Sequence, residues 1–308
     1  MASMLTGGSH IDHADRLRVG STQRVLPFRV MAPSTLGTFL RSFTWGHVRQ
    51  MDKALEETLR RAWSAGGGPR EDAPVTIDVD STVCEVAGNT KAGAHYGYTG
   101  QLGYHPLLAA RADTGEIVHS RLRGGSSQKR HYPFVVKTVN RVRRAGARGP
   151  LTVRADAGFW SYRLVEDMER LRVGWSITIG QHSQVKAAIA NIEDTAWQQI
   201  DYPEGGVAEV AETAIVASKK WKHRRIRVVV RRTRLTDPEH AQLWPDWRYH
   251  AFATNSELSP VEADTHHRAH ARMELAIRDI KQNAGLSHCP SAPHAHATRS
   301  DTYQNYWP

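Results

Sequence analysis

The chain reads as an α/β protein: a mixed sheet flanked by helices, with a β-rich insertion before the last helix of the core. Three observations predict this. Between residues 75 and 179 the pattern runs strand, strand, strand, helix, strand, helix, strand. From about 182 to 248 short β-like stretches carry a dense basic segment. Helical periodicity then returns at Pro260 and reaches Lys281. With 308 residues and 40% hydrophobic content, the chain can bury a real core.

The elements follow in order. Residues 1–30 are polar and aperiodic. From Pro33 onward, Leu36, Phe39, Leu40, Val48, Met51 and Leu55 recur at helical spacing as far as Trp63, with Ser34 as N-cap. Gly66-Gly67-Gly68-Pro69 ends that helix. Val75–Asp80 alternates as a strand, and a Gly- and Tyr-rich loop follows to about residue 104. Asp113-Thr114-Gly115 turns a hairpin between 106–112 and 116–123. An amphipathic helix covers 132–145, a strand 151–156, a helix 161–171 and a strand 175–179. Strands at 210–217, 226–231 and 249–254 precede the 260–281 helix. The expected division is 1–70 N-terminal helical segment, 71–181 first part of the core, 182–248 basic insertion, 249–290 last part of the core, and 291–308 a disordered tail.

No apolar run approaches the roughly 20 residues that span a bilayer, so a cytoplasmic protein is expected. Two cysteines form no disulfide framework. The formal charge of +10 favours a polyanionic partner. Lys222, Arg225, Arg227 and Arg231 lie in an acid-free segment from Lys219 to Arg234, which reads either as a phosphate-contacting ribbon or as the solvated face of a strand. The Arg141–Arg148 cluster ends a helix, where the helix dipole accounts for it.

Three acids carry the chemistry. Asp80 ends the 75–80 run, Asp156 ends the 151–156 run, and Glu274 lies in the last helix. Two aspartates at neighbouring strand ends and a helical glutamate can hold a pair of divalent metals that cut and join phosphodiesters. Asp78 shares a face with Asp80 and is the reserve ligand, since two carboxylates on one buried face repel unless a cation intervenes. Against this stand ordinary roles: Asp156 capping the Ala157-Gly158 turn, and Glu274 on a polar face with His267, His270 and Lys281. His266 and His270 have zinc-ligand spacing but lack a third ligand. Serine-elbow and Walker patterns are absent.

These residues resemble DDE transposases of the ribonuclease H-like fold, and more specifically bacterial insertion-sequence transposases of the group-four clan, group thirteen-eighty. The resemblance is carried by Ala32–Leu40, Asp78-Val79-Asp80-Ser81-Thr82, Gly97–Leu107, Arg154-Ala155-Asp156-Ala157-Gly158-Phe159 and Ile277–Lys281. It implies a catalytic triad of Asp80, Asp156 and Glu274 holding Mg²⁺, with Mn²⁺ as a substitute. It also implies that Lys281 grips phosphate, with His270 where the clan has an arginine and His267 where it has a tyrosine. The implied partners are double-stranded DNA, as transposon ends and target, and a second copy in a homodimer on DNA near the nucleoid. Compared with that pattern the N-terminal DNA-binding portion is shortened, and the tail after Pro290 departs from an apolar helix. The rival expectation is therefore a chain that binds DNA or inhibits full-length transposase without cutting; a standalone metal-dependent nuclease is a third.

Overall fold

The structure, a computed structural model, describes residues 3, 6–8, 10–86, 93–97, 99–124, 131–202, 206–217, 224–235, 247–283 and 286–287. Lys222 and the 291–308 tail lie outside the described residues. Among the described residues, no helix is long and apolar enough to cross a membrane.

Short helical turns at Ile11–Leu17 and Thr22–Val25 lead into α1 (Pro33–Arg41) and α2 (Trp45–Ala62). The single helix expected from Pro33 to Trp63 is thus two. Pro33 takes the first helical position after Ala32, which displaces Ser34 from the expected N-cap. Thr44 and His47 form a capping box that restarts the chain as α2. The apolar stripe faces outward as well: Phe39, Val48, Met51 and Leu55 are exposed. Instead α2 docks through acids. Asp52 receives hydrogen bonds from Lys137 and Arg141, and Glu56 from Arg144. Arg141 is only 2% exposed, so Arg141 and Arg144 of the cluster given to the helix dipole seat this docking, while Arg143 donates to the Leu171 carbonyl and Arg148 pairs with Glu71.

The core is a nine-stranded sheet. It contains β1 (Val75–Ser81), β5 (Leu107–Arg111), β6 (Ile117–Arg121), β7 (Leu151–Ala155), β8 (Gly174–Thr178), β9 (Gln198–Ile200), β10 (Gly206–Val216), β11 (Arg225–Leu235) and β12 (Arg248–Thr254). Their spatial order is β6-β5-β1-β7-β8-β12-β11-β10-β9. β1, β7 and β8 run parallel, and β5 and β6 run antiparallel at one edge. This is the expected mixed sheet flanked by helices. The Gly- and Tyr-rich stretch holds a second, three-stranded sheet of β2 (Cys84–Glu85), β3 (His95–Tyr96) and β4 (Leu102–Tyr104). Segments of two or three residues are too short for periodicity to reveal.

Helices cover both faces. α3 (Tyr132–Ala145) and α4 (Tyr162–Arg170) share one apolar cluster with Val75, Ile77 and Val79 of β1 and Val153 of β7. Ser161 caps α4 by accepting from Leu164 N–H. The insertion opens with a helix that the sequence reading did not predict, α5 (Ser183–Ala190), before β9–β11. β12 pairs antiparallel with β8, so the insertion strands extend the main sheet. The last helical stretch breaks into α6 (Pro260–Arg268) and α7 (Arg272–Asn283), joined by a 3-10 turn at Ala269–Ala271.

Candidate active site

Strand alternation sorts β1 into two faces. Val75, Ile77 and Val79 enter the main core, leaving Thr76, Asp78 and Asp80 on the opposite face. The parallel register places Asp78 beside Arg154 and Val79 beside Ala155, so one step further Asp80 adjoins Asp156. α7 covers this face because Met273 and Ile277 pack on Leu108 and Ala110 of β5. Glu274, at the exposed start of α7, is thereby carried toward the end of β1.

Asp78 and Asp80 are two residues apart and do different things. Asp78 is 1% exposed. Arg154 clasps it with both arms, Nε to Oδ1 at 2.7 Å and Nη2 to Oδ2 at 2.8 Å. His270 Nδ1 stands 3.0 Å from the same Oδ1. Arg154, with help from His270, therefore does for Asp78 what the sequence reading had assigned to a metal. Asp80 has no such cation. Its Oδ1 accepts the Ser81 N–H at 2.6 Å. Burial, with repulsion from Asp156 and Glu274, outweighs that bond and the pull of His270, and holds its pKa up at about 6.

Asp156 is half-buried, and burial raises its pKa against the opposing influence of His270 and the Gly158 N–H. It occupies the N-cap position of the Ala157–Phe159 turn, yet its side chain makes no capping bond. Its Oδ1 is enclosed and has no hydrogen-bond partner. A Cβ at Gly158 would stand 3.3 Å from that oxygen, so glycine is what leaves the carboxylate room. The capping role that rivalled catalysis in the sequence is thus only partly used, through the pull of the Gly158 N–H, and leaves Oδ1 without a partner.

Asp80 stands within electrostatic reach of both Asp156 and Glu274. Among the described residues, no three histidines, cysteines or acids are drawn together into a closed metal cluster. The donor set nevertheless suits a hard divalent cation: carboxylate oxygens only, mutual repulsion at Asp80, and an orphaned oxygen on Asp156. Lys281 lies two turns beyond Glu274 along α7 and is half-buried.

The other sequence candidates go elsewhere. His267 does not join a polar face with Glu274. It is buried against Phe252, ring centroids 4.1 Å apart, with Ser176 and Thr178 hydroxyls at 2.7 and 3.0 Å. Burial drives its pKa down to about 2. His266 meets Thr76 at 3.3 Å while His270 meets Asp78, so the two do not share the zinc site their spacing allows. In the basic segment, Arg231 pairs with the fully buried Asp264 at 3.1 Å, and Arg227 pairs with Glu212 at 2.7 Å. Arg231 is thus held by a buried partner and Arg227 by a solvent-facing one, while Arg225 remains exposed. Arg154 was missed by sequence reasoning, although its position two residues before Asp156, on the same strand face, was a usable signal.

Residues 1–297 match the family model described as Transposase DDE domain group 1. Among solved structures, the chain is similar to a piggyBac transposase in a synaptic complex with hairpin DNA, at 11% identity and a TM-score of 0.49, covering 99% of this chain and 60% of that one. It is also similar to Marinitoga piezophila Argonaute in complex with 5′-OH guide RNA and target DNA, at 8% identity and a TM-score of 0.28, covering 64% of this chain and 26% of that one. It thus spans less than two thirds of the length of either. No curated protein matches. With residues 1–297 of 308 matched, the chain belongs to the transposase DDE domain group 1 family.

Proposed function

We propose that the chain is a DNA transposase that cleaves strands at the ends of an insertion sequence and joins them to target DNA. The observation that carries the reading is Asp80 at the end of β1, which feels the charges of both Asp156 and Glu274, beside an Asp156 that keeps a buried oxygen without a partner. These three carboxylates would hold Mg²⁺, or Mn²⁺ in its place, and Asp78 is excluded by its clasp with Arg154. When bound, the divalent ions supply Lewis-acid activation of water and of the scissile phosphate.

The chain's own groups orient the reaction. Arg154 and Asp78 lock β1 to β7 so that Asp80 and Asp156 stay adjacent. His270, held by Asp78, presents its ring toward both aspartates and tempers their repulsion. Water adds to phosphorus and the bond to the element's 3′ oxygen breaks, leaving a 3′-hydroxyl and a 5′-phosphate. That hydroxyl then attacks a target phosphodiester and displaces the target's own 3′ oxygen, so the number of phosphoester bonds is conserved. Lys281 and the exposed Arg225 are assigned to DNA phosphates, and pairing of two ends calls for a homodimer on DNA.

The test is a strand-cleavage assay on element-end duplex with Mg²⁺. Asp156→Asn is expected to lower cleavage by more than about 100-fold while DNA affinity stays within about twofold. Undiminished cleavage would remove Asp156 from the site. DNA binding by the wild type without any cleavage would leave a DNA-binding protein instead.

A further inference from the structure

β6 leaves the sheet at the same edge as the carboxylates. Ser81 pairs with Leu107, and Leu107 pairs in turn with Arg121 at the end of β6. Two residues later, Arg123 is locked to His105: its carbonyl accepts the His105 N–H at 3.0 Å, and its Nε donates to the His105 carbonyl at 3.2 Å. His131, at the foot of α3, meets Phe159 edge-on with centroids 5.1 Å apart. Phe159 belongs to the turn directly after Asp156. Arg121 and Arg123 thus lie near that turn with His105 and His131, whose pKa values are lowered by burial and by Arg123.

Among the described residues, neither Arg121 nor Arg123 forms an ion pair, and Arg123 Nη1 is enclosed without a partner. Burial, with the like charge of Arg121, pushes Arg123 down to about 10. Asp52 favours the charge of Arg121, but Lys137 and Arg141 already hold it. A desolvated guanidinium without a carboxylate is costly, and such charges persist where a ligand anion completes them. The planar fork of arginine suits a phosphate.

We propose that Arg123, with Arg121 beside it on the α3 side of the sheet, binds a backbone phosphate of DNA that crosses this end of the sheet toward Asp80 and Asp156 on the other side. This deepens, and rests on, the strand-cutting reading of that site.

The test measures binding of the full chain to a labelled duplex of arbitrary sequence, in EDTA, over a range of KCl concentrations. Removing one phosphate contact makes the slope of log K against log salt shallower by about 0.9. Arg123→Gln is expected to show that loss with an unchanged or higher Tm, and Arg123→Lys, which keeps the charge, is expected to retain the slope. A folded Arg123→Gln variant with the wild-type slope would overturn the inference. So would one that fails to fold or melts several degrees lower, since Arg123 would then be structural. A wild type that binds no duplex would overturn the DNA reading itself, which separates the two failures.

Discussion

Asp78 and Asp80 show how two acids on one strand face divide between scaffold and chemistry. Asp78 sits in a buried ion pair with Arg154, both side chains about 2–3% exposed. Asp78→Asn strips a buried arginine of its counter-charge and is expected to cost about 3–5 kcal/mol, read as a fall in the urea midpoint. Asp80 behaves oppositely. Its folded pKa of about 6 lies above the ordinary 3.8, so the folded chain holds the extra proton between those values. Ionising Asp80 therefore erodes stability as pH climbs from about 4 to 6, and the full cost persists above that. In EDTA at pH 8, Asp80→Asn is expected to raise Tm by a few degrees, with the gain vanishing below pH 4; a lower Tm at pH 8 would give Asp80 a structural role. The strand-end positions of Asp80 and Asp156 were legible from alternation alone. The clasp on Asp78 was not, because it depends on the register between strands far apart in sequence.

At the scale of elements, helix docking by charge is the least legible feature of the sequence. The apolar spacing of α2 suggests an inward stripe, yet Asp52 and Glu56 bind the cations of α3 and turn Val48, Met51 and Leu55 to solvent. Although burial raises the pKa of Asp52, the bond from Lys137 and the charge of Arg141 bring it below the usual carboxylate range. That contribution is complete above the ordinary Asp pKa and fades as pH falls through the lowered value. Asp52→Ala is expected to cost up to about 3 kcal/mol in urea unfolding, because Arg141 is left buried and unpaired. The basic strand β11 divides in a similar way. Arg231→Gln exposes the buried Asp264 to loss of a partner and is expected to lower stability, whereas Arg225→Gln is expected to leave Tm unchanged and flatten the salt dependence of DNA binding. Equal effects of the two on the salt slope would contradict that division. The break at Ala269–Ala271 was illegible too, since helical residues flank it, and it sends His267 into the core rather than beside Glu274.

Across the whole molecule, the main-sheet strands and the helices from Val75 to Thr178 could be read because each is long enough for its period to register, as the short β2, β3 and β4 are not, and α3 runs over the residues expected. The insertion could not be read as well: β10 and β11 are 11 residues each, and their charged residues interrupt the apolar alternation. They lengthen the same sheet that carries the acids, whose polar face under α6–α7 is the proposed working surface. The claim about that face is tested most directly by Mn²⁺ titration of the metal-free chain by calorimetry at pH 7.5, beside Asp80→Asn, Asp156→Asn and Glu274→Gln. The account predicts binding in the wild type that weakens as pH falls below about 6, as protons compete at Asp80, and that each substitution abolishes or sharply reduces. Mn²⁺ binding unchanged in all three variants would contradict it.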